Sequence, residues 1–137
     1  MNDATPTFGI SLVTGDVDAS IAFYRALGVP IPDEANWRSH HVGIPITGSQ
    51  FDLDSVELTK GYDAAWQGTG VIVILRVPTR EAVDEAYARV VGAGHPGHLE
   101  PFDAFWGARY AVVRDPDGNH IGIMSPQDES LGGPPPV

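Results

Sequence analysis

The stretch FDAFWGARYAVVRDPDGNHIGIM, Phe102 to Met124, decides how the rest of the chain is read. Asp115-Pro116-Asp117-Gly118 has the chemistry of a tight turn: Pro116 presets φ at the second position and Gly118 accepts a positive φ. Tyr110, Ala111, Val112 and Val113 before the turn alternate their faces, as do Ile121, Gly122, Ile123 and Met124 after it. A period of two on both sides of a turn predicts two strands, packed on one face and open to something else on the other.

Working outward, the same plan occurs twice. FGISLV (8–13) reads as a strand, and Asp16 or Asp18 can cap the helix after it, which has Ile21, Phe23, Tyr24 and Leu27 on its apolar side. Gly28 closes that helix, and Pro30 and Pro32 prevent its restart. Short strands are expected at His41–Ile46 and Gln50–Leu53, with Gly48 between them, and Val56–Gly70 reads as loop around Gly61-Tyr62-Asp63 and Trp66-Gln67-Gly68. VIVILRV (71–77) is then a strong strand by its β-branched content. Thr79 caps a second helix with Val83, Ala86, Tyr87 and Val90 on one side, ending at Gly92 and Gly94. AFYRALG (22–28) and AYARVVG (86–92) match in residue size and closing glycine. The expectation is an α+β domain over residues 1–128, with modules at about 8–60 and 71–125, each strand–helix–three strands. Together they give about eight strands with the helices outside, and a disordered Gly/Pro-rich tail at 129–137.

Composition narrows the function classes. The chain has 137 residues, 42% of them hydrophobic, which suits one globular domain. No run reaches the ~20 apolar residues of a membrane helix. A net charge of −10 disfavours nucleic acid and anionic lipid as partners. The absence of cysteine excludes disulfides, thiolate metal sites and thiol nucleophiles, and cytoplasm is the default compartment.

With Gly15-Asp16, Ser20, Phe23-Tyr24-Arg25-Ala26-Leu27-Gly28 and Asp115-Pro116-Asp117-Gly118-Asn119 in order, the chain resembles the vicinal oxygen chelate superfamily. That superfamily includes glyoxalase I, the bleomycin resistance proteins and the extradiol dioxygenases. The resemblance implies paired βαβββ modules forming a cupped mixed sheet around a cleft, commonly in a homodimer. Metal-dependent members place a His on the first strand, two ligands mid-chain and a Glu four residues after the DPDG turn. Here those positions carry Gly9, Val71 or Ile72, and Gly122, and Asp54 alone roughly matches a ligand position. Two glycines and an aliphatic cannot bind a divalent ion. The usual metal is therefore expected to be absent, and no cofactor is expected.

Other side chains could line the cleft. His40 and His41, as strand neighbours, point to opposite faces and cannot share a metal. His95 and His98 flank Pro96-Gly97 and read as solvated loop residues, and His120 shares the face of Gly122. Asp52 and Asp54 share a strand face, in a pattern common on exposed strands. Trp37, Trp66, Phe102, Phe105 and Trp106 supply flat walls, and Arg109 could anchor an anionic group or pair with Asp103. The expected ligand-binding set is thus Trp37, His41, Asp54, Trp66, Phe102, Phe105, Trp106, Arg109 and His120, around an apolar or aromatic small molecule and without metal. The alternative is a glyoxalase-like lyase, isomerase or dioxygenase with a metal on a rearranged set, Asp54, His41 and His120. A metal-free enzyme with His120 or Asp54 as base is a third reading.

Overall fold

Asp16, Ser55 and Thr79 each begin a helix by the same device, a side-chain oxygen that accepts the N–H of the residue three positions on. The computed structural model describes residues 6–33, 40–45 and 48–136. Among these the chain runs β1 (Thr7–Thr14), α1 (Val17–Ala26), β2 (His41–Ile44), β3 (Gln50–Ser55), α2 (Val56–Tyr62), β4 (Gly70–Arg76), α3 (Arg80–Gly92), β5 (Gly97–Asp103), β6 (Arg109–Arg114) and β7 (His120–Met124). The architecture is α+β. It divides into two units, Ile10–Val71 with Pro135–Val137, and Ile72–Pro134 with Met1–Gly9.

In the first unit the strands lie in the order β2-β3-β1. β2 and β3 pair antiparallel, His41 opposite Asp54 and Gly43 opposite Asp52. Val42, Ile44, Phe51 and Leu53 therefore share one face, where they pack with Val17, Ile21 and Ile31 beneath α1. Burying these side chains, at roughly 1.5–3 kcal/mol each, fixes the register, because a slip of one residue would expose the set. It also commits the alternate residues, His41, Gly43, Asp52 and Asp54, to the other face.

The first unit departs from expectation after β3. Residues 56–62, read as loop, form α2, in place of a third strand following α1. Ser55 Oγ accepts Leu58 N–H at 3.0 Å and lies 2.9 Å from His40 Nδ1, while Thr59 Oγ1 donates to Ser55 O at 3.0 Å. The signal was Ser55 with Leu58 and Thr59 behind it; Gly61 and Asp63 obscured it. Ser55 is buried, so Ser55→Ala is expected to lower unfolding free energy by about 1–2 kcal/mol, read by urea denaturation.

The second unit follows the expected strand–helix–three-strand plan, in the order β4-β7-β6-β5. β4 and β7 run parallel, and the other pairs antiparallel. The β6–β7 hairpin places Tyr110 opposite Met124 and Arg114 opposite His120. Its turn closes by Gly118 N–H to Asp115 O at 2.9 Å, with Gly118 at φ +86°, and Asp115 Oδ1 accepts the N–H groups of Asp117 and Asn119. Those hydrogen bonds, above all from Asn119, hold the Asp115 carboxyl below its ordinary pKa. Val83, Ala86, Ala111, Val113 and Ile123 form the core under α3.

Seven strands are present among the described residues, against about eight expected. The chain end carries local structure: Asp128 caps a 3-10 turn over Glu129–Leu131, and Gly133 N–H donates to Phe105 O at 2.7 Å. No helix among the described residues is long and apolar enough to cross a membrane.

Candidate functional site

The face of the first unit that α1 leaves uncovered is polar. His41 Nδ1–H donates to Asp54 Oδ1 at 2.6 Å, which turns the other ring nitrogen, Nε2, away from Asp54. Asp54 is buried and His41 is one-third exposed, at 34% of its side chain. Beside them Asp52 Oδ2 accepts from Gln50 Nε2 at 2.6 Å and from the buried Ser11 Oγ at 3.5 Å. Three strands thus contribute a histidine, two carboxylates, an amide and a hydroxyl to one face.

The electrostatics follow from that grouping. Burial works against a charged His41, but the hydrogen bond to Asp54 and the charges of Asp54 and Asp52 outweigh it and raise its pKa above 6.5. Burial pushes the Asp52 carboxyl above 3.8, only partly offset by the His41 charge and by Gln50. A raised folded pKa on His41 gives stability that is complete below pH 6.5 and vanishes as pH rises through the folded value. Asp52 has the same sign over a lower window, losing stability as pH climbs from 3.8 through its folded value. The melting temperature is therefore expected to fall as pH rises from 6.5 through the folded value, and His41→Gln is expected to flatten that slope.

The second unit presents a different face. Phe102 and Tyr110 meet edge to face with centroids 5.9 Å apart, Trp106 and Tyr110 at 5.1 Å, and Phe105 and Trp106 at 5.1 Å. Tyr110 is fully buried, while Phe102, Phe105 and Trp106 are half-buried. His98 and His120 lie ring against ring at 4.5 Å, and Arg114 Nη2 donates to His98 Nδ1 at 3.0 Å. His98, read as a loop residue, stands on β5, which begins at Gly97.

Each expected site residue has a definite place. His41 and Asp54 come together in the first unit. Trp66 is buried there as well, its Nε1–H donating to Gly68 O at 2.8 Å. Phe102, Phe105 and Trp106 group in the second unit, where His120 joins His98. Arg109 spends its guanidinium on Asp84, Nε to Oδ1 at 3.0 Å, and on Asp103, Nη1 to Oδ1 at 3.3 Å. That is the structural pairing with Asp103, extended to α3. Trp37 lies outside the described residues. Asp52, Gln50, Ser11 and Gly43 are additional members. Their signal was the pairing itself: once Phe51 and Leu53 must face α1, Gln50, Asp52 and Asp54 must face away from it.

The positions where the resemblance puts metal ligands do not fit a metal. Gly9 and Ile72 are buried and offer no donor side chain. Gly122 does not leave open room: a methyl group built there would stand 2.5 Å from the Tyr110 hydroxyl and 2.9 Å from Ile74 Cδ1. Tyr110 and Ile74 fill the place of a longer side chain.

Residues 8–123 match the model of the Glyoxalase/Bleomycin resistance protein/Dioxygenase superfamily. No curated protein matches the chain significantly. Among solved structures, a glyoxalase/bleomycin resistance protein/dioxygenase superfamily member from Vibrio splendidus is 18% identical with a TM-score of 0.59, over 89% of this chain and 100% of that one. An NAD-dependent benzaldehyde dehydrogenase from Legionella pneumophila is 16% identical with a TM-score of 0.66, over 86% and 97%. The Mn(II)-bound glyoxalase from Novosphingobium aromaticivorans is 20% identical with a TM-score of 0.59 over 85% of this chain, which spans only 37% of its length. At these identities the likeness is one of fold.

Proposed function

Because the chain belongs to the glyoxalase/bleomycin resistance protein/dioxygenase superfamily, we propose that it is a metal-free small-molecule-binding protein of that family. Its ligand is held by the polar face of the first unit. The observation that carries this reading is the His41–Asp54 hydrogen bond of 2.6 Å beside Asp52, on the face that α1 leaves uncovered. Perturbed titratable groups cluster at functional sites, so their gathering on one face supports a site there. Support for an aromatic or otherwise apolar ligand comes separately from the second unit, whose half-buried Phe102, Phe105 and Trp106 are suited to flat apolar molecules. Support for the metal-free clause comes from Gly9, Ile72 and Gly122 at the family's ligand positions. We also propose a cytoplasmic protein that acts as a homodimer.

The test is a thermal-shift screen of chelator-treated protein against small aromatic metabolites. Ligands that raise the melting temperature of the wild type are expected to lose that effect in His41→Gln and Asp52→Asn. Stabilisation that persists in both variants would place the ligand elsewhere.

A second reading, a metal-dependent lyase, isomerase or dioxygenase, is favoured by one observation. His98 and His120 stand ring to ring, and paired imidazoles suit a transition ion. Elemental analysis after soaking with Zn²⁺, Ni²⁺, Mn²⁺ and Fe²⁺ and then dialysing separates the two. A stoichiometric ion retained by the wild type and lost in His98→Ala and His120→Ala would replace the first reading with the second.

A further inference from the structure

Gly43 lies within β2, opposite Asp52, on the polar face of the first unit. Glycine weakens a strand interior, and its use there often marks a place that another group approaches closely. Its backbone does not demand glycine, since Gly43 is not among the residues with positive φ. Nor does a neighbour among the described residues forbid a side chain: a methyl group built on Gly43 would lie 3.5 Å from Asp52 Oδ1 and 3.8 Å from His41 Nε2, both ordinary contacts. The space over Gly43 is therefore bounded on two sides by polar atoms. Those atoms are the ones turned away from the local network, because His41 uses Nδ1 on Asp54, while Gln50 and Ser11 use Asp52 Oδ2.

We propose that the space over Gly43 is a subsite for a hydroxyl group of the ligand, held between His41 Nε2 and Asp52 Oδ1. This deepens the reading of the polar face as a ligand-binding site and rests on it. The chemistry selects the hydroxyl. When His41 is protonated its Nε2–H donates while the Asp52 carboxylate Oδ1 accepts, and a hydroxyl supplies one acceptor and one donor at a single atom. A carboxylate would meet the like charges of Asp52 and Asp54. With His41 protonated, an ammonium, which has donors only, would leave a charged Nε2–H facing another cation. A bare methyl group would leave both polar atoms desolvated without a partner.

The test uses phenol and its methyl-capped analogue anisole as probes, with the Gly43 amide and the His41 ring nitrogens followed by NMR. Gly43→Ala fills the space with contacts the structure tolerates and places alanine at an exposed strand position, so its fold is expected to be intact. Phenol is expected to shift both sets of signals saturably in the wild type. Anisole, and phenol with Gly43→Ala, are expected to bind about tenfold more weakly or worse, the scale for losing one charge-assisted hydrogen bond. Equal binding of phenol and anisole, or an undiminished phenol response in Gly43→Ala, would overturn the subsite while leaving the polar face as a binding surface. No phenol response at Gly43 or His41 would also overturn it. The wider reading falls only if the aromatic metabolites of the thermal-shift screen leave the protein unchanged too.

Discussion

Asp54→Ala is expected to destabilise the protein by about 1–3 kcal/mol in urea denaturation, more than any other single change on the polar face. Asp54 is buried and holds His41 Nδ1–H at 2.6 Å, so its removal leaves a donor of a raised-pKa imidazole without the acceptor that raised it. The figure stays below that of a fully buried ion pair because the His41 side chain is 34% exposed and water screens its charge. The same variant is expected to return the His41 pKa toward or below 6.5, because burial then acts against the charged ring with only Asp52 opposing it. An NMR titration of the imidazole reads that change directly. Asp52→Asn is the contrast. Burial already disfavours its ionised form, so its neutral replacement is expected to cost little stability while weakening ligand binding. Equal destabilisation by the two variants would mean that the face is held together as one structural network rather than arranged around one hydrogen-bonded pair.

Gly122→Glu restores the residue that metal-dependent members of the family place four positions after the turn, and it is expected to unfold the protein rather than create a metal site. Even Gly122→Ala sets a methyl group 2.5 Å from the Tyr110 hydroxyl and 2.8 Å from its ring. Tyr110 is fully buried, so it cannot swing into solvent. Overpacking of this kind costs typically 1–3 kcal/mol for the alanine, and about 3 kcal/mol or more for a glutamate that also buries a charge. Tyr110→Phe should rescue part of the alanine loss, since the hydroxyl is the nearest clash. A Gly122→Ala protein as stable as the wild type would show that this place can open, as an empty cleft floor would.

The two variants also mark where the sequence was legible. The β6–β7 hairpin could be read because Asp115-Pro116-Asp117-Gly118 carries its own turn chemistry and the flanking strands alternate without interruption. The helix caps at Asp16 and Thr79 were legible for the same reason, as local chemistry with local partners. The α2 helix was not, because it is only seven residues long, and Gly61 within it and Asp63 just after it look like loop residues until Ser55 is seen to cap it. At the site, alternation showed that Asp52 and Asp54 share a face, but could not show that Asp54 on that face is buried. Burial depends on what crosses from β1 and β2, namely Ser11 and His41, and that information is nonlocal. Gly122 illustrates the converse: the sequence shows a position with no side chain, but not that a tyrosine from the neighbouring strand fills the place beside it.

The most direct test is a backbone-amide NMR titration of chelator-treated protein with the aromatic metabolites that score in the thermal-shift screen. Saturable shifts at Ser11, His41, Gly43 and Asp52, unchanged by added divalent metal, are the predicted result. Shifts that appear only after metal is supplied, or that map to His98 and His120 and leave the polar face still, would contradict it.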